Sequence, residues 1–411
     1  MSRSDGAEKE KTEKEKAEKK KARLLRRHRW LWTHCLPIVR FFLRLHYGPF
    51  DFPPAPELEG GYIVLPNHSC GGDQFFVAFS FIKKHMYFVA SEHAFRKKLL
   101  GAIMRFATGP ISRVKGTVAA STVLSIMRWL RQGVPICIFP EGNRTWNGRS
   151  LPLHPTTAKL LKTAGVPVVT YRIEGGYLTD PRWSKTLRRG RLRGDVVHIY
   201  PPEELKKMTV QEIADRISAD LWVDADESQR LDPVPYVGKR KAEGLEEALF
   251  ICPKCGGVGT LRGEGDDFLC SCGFRTTYGD LGFFDDRSPY RSVAEWDDWQ
   301  QAELLRRAGE GSASFADEGA EVWQVGEDHR ETMIASGKAE LDRVSLRLGD
   351  KVWPLSEMQE PELCHLAGKE SMMFTVPEGS FELRFKGSPS RRKYQLLIKD
   401  YQALRKEQPE A

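Results

Sequence analysis

Short apolar runs alternate with helical stretches between Gly61 and Leu221, and this alternation constrains the fold of the chain most strongly. The predicted strands are Tyr62–Pro66, Tyr87–Ala90, Ile136–Phe139, Val166–Arg172 and Val196–Tyr200. The predicted helices are Gln74–Lys83, His93–Phe106, Thr117–Gln132, Thr156–Ala164 and Thr209–Trp222, the last with a capping box from Thr209 and Glu212. Strands that alternate with helices predict an α/β fold, with a mostly parallel sheet flanked by helices.

A histidine and an aspartate lie five positions apart directly after the first predicted strand. Between His68 and Asp73 stand Gly71 and Gly72, which allow a turn tight enough for the carboxylate to reach one ring nitrogen. The other ring nitrogen is then free to take a proton from a hydroxyl group. The pattern is short enough to arise by chance, so alone it is weak.

A second polar cluster follows the third predicted strand, in the run Phe139–Thr145. It places Glu141, Gly142 and Arg144 on a loop, where the glycine permits close backbone approach. A surface salt bridge is the alternative for the Glu/Arg pair. Arginine suits a phosphate group because its planar fork donates two hydrogen bonds at once.

The two clusters together resemble the signature of the glycerolipid acyltransferases of the 1-acyl-sn-glycerol-3-phosphate acyltransferase type. The resemblance implies a glycerol-3-phosphate acyltransferase-like fold, with His68 as general base and Asp73 as its orienting partner. It also implies that Glu141, Gly142 and Arg144 bind substrate. Arg113, in Gly109–Arg113, resembles a phosphate-binding arginine of the family, although the block is compressed here. Val166–Val169 resembles a fourth family block.

This resemblance implies transfer of a fatty acyl group from acyl-CoA or acyl-acyl carrier protein to a lysophospholipid, with phosphatidic acid as the expected product. No catalytic metal is expected, because the thioester is already activated. The alternatives are the same chemistry on glycerol-3-phosphate or another lysolipid, and an inactive membrane-attached scaffold. A basic cluster lies between two late predicted strands and comprises Arg182, Lys185, Arg188, Arg189, Arg191 and Arg193. It is either a solvated loop or a binding site for acidic lipid headgroups, the phosphates of coenzyme A or an acidic acyl carrier protein.

The N-terminal region is charged and then amphipathic. Residues 1–29 alternate Glu and Lys before becoming purely basic, which predicts a disordered tail or an electrostatic contact with an anionic membrane. Residues 30–48 mix aromatic and basic side chains, which predicts an interfacial helix or one packed on the catalytic domain. Since no run reaches the roughly 18 apolar residues of a spanning helix, we expect a peripheral protein on the cytoplasmic face of the membrane.

Four of the eight cysteines form two closely spaced pairs, Cys252/Cys255 and Cys270/Cys272. Four thiolates can surround zinc tetrahedrally, so the sequence predicts a structural zinc ribbon without an open catalytic position. A redox pair at Cys252 and Cys255 is the alternative. Acidic residues follow the module and would repel phosphate, so no nucleic acid is expected as a partner.

The remaining chain is rich in predicted strands and ends in a helix over Ser390–Lys406, a layout that weakly resembles pleckstrin-homology-like domains. Its strands are Glu321–Val325, Arg343–Leu348, Lys351–Pro354, Met372–Val376 and Phe381–Phe385, the last two joined in a hairpin. The predicted order is a disordered tail (1–29), an amphipathic helix (30–48), a catalytic domain (49–223), a linker (224–248), a zinc ribbon (249–282), a helical connector (283–313) and a β-rich domain (314–411).

Overall fold

The computed structural model describes residues 3–91, 111–113, 120–153, 155–326, 330–366, 369–387 and 390–407. The predicted helix His93–Phe106 lies outside these residues. The first half forms one sheet of six strands: β1 (Ile63–Pro66), β2 (Tyr87–Ser91), β3 (Ile111–Arg113), β4 (Ile136–Cys137), β5 (Val168–Glu174) and β6 (Arg193–Tyr200). Their order is β3-β2-β4-β1-β5-β6, and all neighbours are parallel except β5 and β6.

Helices cover both faces of this sheet. Ile63 and Leu65 of β1 belong to one buried core, whereas Val64 belongs to another. Successive strand residues point to opposite faces, so the central strand is buried on both sides. In the described residues of this half, the N-terminal α1 (Arg3–Tyr47) is followed by the helices α2 (Asp73–Ser80), α3 (Ala120–Leu130), α4 (Pro155–Ala164), α5 (Gly176–Thr179), α6 (Pro202–Lys207) and α7 (Val210–Leu221).

The predicted capping box at the start of α7 is confirmed. The Glu212 N–H donates to Thr209 Oγ1 at 3.1 Å, and the Thr209 N–H donates to Glu212 Oε2 at 2.6 Å. Each side chain therefore satisfies a backbone donor that the first helical turn leaves free.

The sequence predicted a disordered tail over residues 1–29, but helix α1 already begins at Arg3. Alternating Glu and Lys have high helix propensity and can pair at a spacing of four residues, which favours a helix over disorder. One face packs on the sheet domain: His28 Nδ1 lies 2.8 Å from Tyr87 Oη, and Trp32 Nε1 donates to the Ile82 carbonyl at 3.0 Å. Within the described part of the chain, no helix is long and apolar enough to span a bilayer.

Residues 224–248 were predicted to be a linker, but the structure packs them against both halves of the chain. They include helix α8 (Ala225–Leu231) and a 3-10 turn at Leu245–Glu247. Ala242 and Leu245 are completely buried, and Tyr236 packs with Tyr177 of the sheet domain. The segment is mostly polar, so the sequence did not indicate that these few apolar side chains are buried.

The predicted ribbon region contains a three-stranded antiparallel sheet of β7 (Leu261–Glu264), β8 (Asp267–Cys270) and β9 (Arg275–Thr277), followed by helix α9 (Val293–Gly309). A seven-stranded antiparallel sheet comes next, in the order β13-β12-β11-β10-β16-β15-β14. Its strands are β10 (Phe315–Val325), β11 (Glu331–Leu341), β12 (Ser345–Leu348), β13 (Lys351–Pro354), β14 (Glu362–Leu366), β15 (Lys369–Val376) and β16 (Gly379–Phe385), and helix α10 (Arg391–Glu407) follows.

The C-terminal half shares one hydrophobic core. This core joins the small sheet, α9, the large sheet and α10, and it also contains Trp146 and Trp183 from the first half. The predicted hairpin between the last two strands is confirmed by pairing of Val376 with Gly379. Strands β11 and β14 were not predicted. The meander and terminal helix have the expected layout, while a pleckstrin-homology-like assignment stays a prediction.

Candidate active site

The two predicted motif clusters meet at one edge of the first sheet. Strands β1 and β4 are adjacent and parallel, with Ile63 opposite Ile136 and Val64 opposite Cys137. His68 follows the end of β1, and Glu141 follows the end of β4. Ligand sites of open α/β sheets lie outside the carboxyl ends of the strands, so this edge is the candidate active site.

The His68 and Asp73 side chains are in direct contact. His68 Nδ1 lies 2.9 Å from Asp73 Oδ2, and the Asp73 side chain is fully buried while that of His68 is 22% exposed. With the proton on Nδ1, the histidine donates to the carboxylate. Its Nε2 lone pair is then the basic one, as an acceptor of a hydroxyl proton requires.

Backbone donors hold the Asp73 carboxylate in place. Its Oδ2 accepts hydrogen bonds from the N–H groups of Ser69, at 2.6 Å, and Cys70, at 2.9 Å. Its Oδ1 accepts from the side chains of the same two residues. Asp73 is also the first residue of α2, where the helix dipole favours negative charge. The carboxylate is therefore rigidly oriented toward the histidine.

The surroundings of His68 favour its neutral form. Burial lowers the pKa of His68, and contact with Asp73 opposes this effect; the positive charges of Arg144 and Arg182 lower it further. The Phe139 ring packs against the imidazole, with ring centroids 4.3 Å apart. A neutral imidazole at neutral pH is the state that can act as a base.

Glu141 ties the two strand ends together. Its Oε1 accepts from the His68 N–H and its Oε2 from the Leu151 N–H, both at 2.8 Å. Burial raises the pKa of Glu141 to about 8, against the effect of these two hydrogen bonds. Both oxygens thus contact backbone, which gives this residue a structural role that the sequence did not indicate. Its predicted contact with substrate stays a prediction.

Gly142 and Arg144 lie on the same loop. Gly142 has a φ of 72°, a conformation that glycine adopts without strain. A methyl group added to Gly71 would lie 3.6 Å from Arg144 Nη1, so the guanidinium approaches the turn between His68 and Asp73. Arg113 ends β3, where its backbone is paired with Ser91. Its side chain lies outside the described part of the structure.

A small cavity of about 190 Å³ opens beside His68. Its lining includes Asn67, Thr145 and Tyr236 and two residues of the basic cluster, Arg191 and Arg193. It is smaller than the roughly 300–1,000 Å³ of typical ligand pockets. It has room for only part of a lipid substrate.

Asp180 and Arg182 lie near the site, but the sequence did not assign them to it. Asp180 Oδ2 accepts from the Gly71 N–H at 2.9 Å and from Tyr47 Oη at 3.1 Å, which fixes the turn before Asp73. Arg182 was predicted within a loop that was either solvated or bound to anions, but it is 5% exposed. Its guanidinium forms a two-point ion pair with Glu370, at 2.7 and 2.8 Å.

The four cysteines of the predicted metal site come together in space. All four sulfurs lie within 4.8 Å of one another, and none is in a disulfide. The Sγ atoms of Cys252 and Cys272 are 3.8 Å apart, as are those of Cys255 and Cys270. Tetrahedral thiolates at 2.3 Å from zinc would be about 3.8 Å apart. These cysteines therefore fit a zinc ion.

Comparisons with known proteins give one family match and a similar solved structure. Residues 47–174 match the sequence model of the acyltransferase family, and this stretch contains His68, Asp73, Glu141 and Arg144. Among solved structures, the chain is similar to the 1-acyl-sn-glycerophosphate (LPA) acyltransferase PlsC from Thermotoga maritima. The two are 23% identical over 42% of this chain and 72% of that chain, with a TM-score of 0.32.

Proposed function

We propose that this protein, whose residues 47–174 form a domain of the acyltransferase family, transfers a fatty acyl group from a thioester to the free hydroxyl of a lysophospholipid. The preferred acceptor is 1-acyl-sn-glycerol-3-phosphate, and the product is phosphatidic acid. The observation that carries this proposal is the 2.9 Å contact between His68 and the buried Asp73. That pair supplies the one group that acyl transfer to an alcohol needs most, an oriented neutral base.

The proposed reaction begins with proton transfer from the acceptor hydroxyl to His68 Nε2. The oxygen attacks the thioester carbonyl, so a carbon–oxygen bond forms while the carbonyl oxygen takes up negative charge. The intermediate then expels the thiolate, which receives the proton from His68. Asp73 holds the imidazole in the required tautomer and stabilises its transient positive charge. The fatty acyl donor is acyl-CoA or acyl-acyl carrier protein.

Positive charge near the base supports an acceptor that bears phosphate. The positive charges of Arg144 and Arg182 lower the pKa of His68, and the same charges would attract an anion bound beside it. Arg182 is already paired with Glu370, whereas Arg144 lies on the turn that faces Gly71. We therefore assign phosphate binding to Arg144, with Arg113 and Gly142 as further acceptor contacts and Glu141 shaping the site.

A structural zinc ion in the ribbon is the second part of the proposal. The ligands are Cys252, Cys255, Cys270 and Cys272, whose sulfur separations suit tetrahedral coordination. The amide of Gly257 donates to Cys255 Sγ at 3.4 Å and so supports a thiolate at that position. Bound zinc would stabilise the ribbon, and it would take no part in the proton transfers, which we assign to His68 and Asp73.

Peripheral attachment to the cytoplasmic face of a membrane is the third part. Helix α1 packs one face on the sheet domain and exposes apolar side chains on the other: Trp30, Ile38, Phe41, Phe42 and Leu45 are each 57% to 61% exposed. Ile38 is three and four residues from Phe41 and Phe42, which are four and three residues from Leu45. Trp30 lies eight residues before Ile38, so all five side chains lie in one stripe of the helix. Basic residues precede the stripe in the same helix, and they suit anionic lipid headgroups.

An assay of thioester consumption with three acceptors tests the substrate class. Purified protein is given palmitoyl-CoA with 1-acylglycerol-3-phosphate, glycerol-3-phosphate or lysophosphatidylcholine, in the presence of anionic vesicles. We expect the first acceptor to give the highest kcat/KM. A higher kcat/KM with glycerol-3-phosphate would show that it is the preferred acceptor instead. The absence of turnover with all three acceptors would reject the enzymatic proposal.

A further inference from the structure

The loop that carries Arg144 is joined at both ends to different parts of the molecule. We call residues 141–149 the active-site loop. At its beginning, Glu141 accepts from the His68 N–H at 2.8 Å, and the Thr145 N–H donates to the His68 carbonyl at 3.1 Å. These bonds place Arg144 at a fixed distance from the catalytic pair, provided that the rest of the loop is also held.

The second half of the loop is held by the C-terminal half of the chain. Trp146 is 8% exposed and belongs to the core of the C-terminal half, not to the two cores of its own sheet. Two guanidinium groups lie over its ring, with Cζ of Arg182 at 4.5 Å and Cζ of Arg392 at 5.5 Å from the ring centroid. Cation–π contacts of this kind strengthen when water is excluded.

The next residue, Asn147, forms a direct hydrogen bond across the same boundary. Its Nδ2 donates to Asp297 Oδ2 at 2.9 Å, while its Oδ1 accepts from the Arg149 N–H at 3.1 Å within the loop. The Asn147 side-chain oxygen therefore holds the conformation of the loop, and its nitrogen attaches the loop to Asp297.

Asp297 is well suited to serve as a fixed anchor. It is fully buried, and it forms a two-point ion pair with Arg392, at 2.6 and 2.8 Å. Arg392 also donates to the Ala248 carbonyl at 2.9 Å. Removing one partner of a buried pair leaves an uncompensated charge, so such pairs allow few alternative arrangements. The pair joins α9 to α10, and the loop is attached to both through Trp146 and Asn147.

We propose that Trp146 and Asn147 anchor the active-site loop on the Asp297–Arg392 pair, so that the C-terminal half positions Arg144 for the acceptor phosphate. The proposal rests on the proposed function for the role of Arg144. Asp297 and Arg392 act through the loop and are positioning residues. A purely architectural role, in which the pair only holds α9 and α10 together, predicts no specific effect on the acceptor.

Two variants separate these roles, and both change one hydrogen bond to the same Asp297 oxygen. Asn147→Asp keeps the oxygen that shapes the loop but replaces the donor with a carboxylate facing Asp297. Gln301→Leu is the matched control, because Gln301 Nε2 donates to Asp297 Oδ2 at 3.0 Å without contacting the loop. Direct substitution of Asp297 or Arg392 risks unfolding. The hydrogen bond between the loop and Asp297 is therefore removed by substituting Asn147.

Hydrogen–deuterium exchange of the peptide covering residues 139–150 tests the anchor without any need for turnover. We expect Asn147→Asp to increase exchange at Thr145 and its neighbours about tenfold, because the amide bonded to His68 loses its support. Gln301→Leu should leave that peptide unchanged. Equal exchange in the wild type and both variants would overturn the proposed anchor.

Steady-state kinetics test what the anchor does for the reaction. Asn147→Asp should raise the KM for 1-acylglycerol-3-phosphate about tenfold and leave the KM for palmitoyl-CoA within twofold. Equal changes in both KM values, or the same changes in Gln301→Leu, would overturn the positioning role. If the wild-type protein turns over no acceptor, the proposed function fails, and the exchange experiment still decides whether the loop is anchored.

Discussion

The two halves of this molecule contribute to the candidate active site in different ways. The sheet domain supplies the proposed base and its orienting partner from a short contiguous motif, since His68 and Asp73 are five residues apart and in contact at 2.9 Å. The C-terminal half supplies Asp297 and Arg392, which are 95 residues apart in sequence and meet only in the folded chain. The proposed catalytic groups are thus local in sequence, whereas the residues that hold the active-site loop beside them are distributed along the chain.

Removing zinc should have the largest effect on stability, and that effect should fall on the C-terminal half. A structural zinc ion contributes on the order of 10–16 kcal/mol in isolated zinc-finger peptides, so Cys252→Ser or a strong chelator should unfold the ribbon. We expect one zinc per wild-type chain by metal analysis, and loss of the C-terminal melting transition without it. Cys35→Ser, outside the cluster, is the control. A metal-free protein with unchanged melting would refute the zinc assignment.

Asp73→Asn should lower kcat by roughly 10³- to 10⁴-fold, because an amide no longer enforces the required histidine tautomer. The buried carboxylate also accepts two backbone N–H groups, so a stability loss of about 1–3 kcal/mol should accompany the change. Steady-state rates and urea unfolding measure the two effects. Asp195→Asn, at an exposed position of β6, is the control. A normal rate in Asp73→Asn would mean that His68 needs no orienting carboxylate.

Glu141 should make the sheet domain less stable at high pH. Its carboxyl pKa is raised by burial from 4.5 to about 8, so its contribution to stability is fully present below pH 4.5 and is lost as the pH rises through 8. Between these values the free energy of unfolding should fall by up to about 1.36 kcal/mol per pH unit. Urea unfolding at pH 5.5 and pH 8 measures the fall.

Glu141→Gln provides the comparison for that measurement, because an amide of similar size does not titrate. The variant should show a smaller difference in unfolding free energy between pH 5.5 and pH 8 than the wild type. An equal difference in both proteins would assign the pH dependence to other groups.

The exposed stripe of α1 should give the smallest effect. Replacing Phe41 or Phe42 with serine removes an aromatic side chain that is about 60% exposed, and each change should weaken binding to anionic vesicles about tenfold. Vesicle co-sedimentation measures the loss. Leu231→Ser is the matched control, since Leu231 is 80% exposed on α8. Equal losses of vesicle binding in all three variants would show that the stripe is not the surface that contacts the membrane.

The sequence was sufficient to predict the features that depend on neighbouring residues. It predicted five of the six strands of the first sheet and the capping box at Thr209. It also predicted which residues would form the two polar clusters and the four-cysteine cluster. Each of these patterns is short, so local spacing already determines which side chains can meet.

Tertiary contacts explain what the sequence did not reveal. Strand β11 was missed because most of its residues are exposed, so it lacks a clear alternation of apolar and polar side chains. Arg182 was not recognised as buried because charge usually indicates solvent, and only the fold supplies Trp146 and Glu370 as its partners. Asp297 carries no motif at all, since its role depends on a residue in another helix.

Thioester consumption by the His68→Ala variant tests the central claim most directly. With palmitoyl-CoA and 1-acylglycerol-3-phosphate, we expect the rate to fall about 10³-fold or more, within the range of lost general-base catalysis. Vesicle binding and the melting temperature should stay unchanged, because the His68 ring is only partly buried. The control, His198→Ala on β6, should retain wild-type turnover. A His68→Ala variant that keeps wild-type turnover would contradict the proposed mechanism.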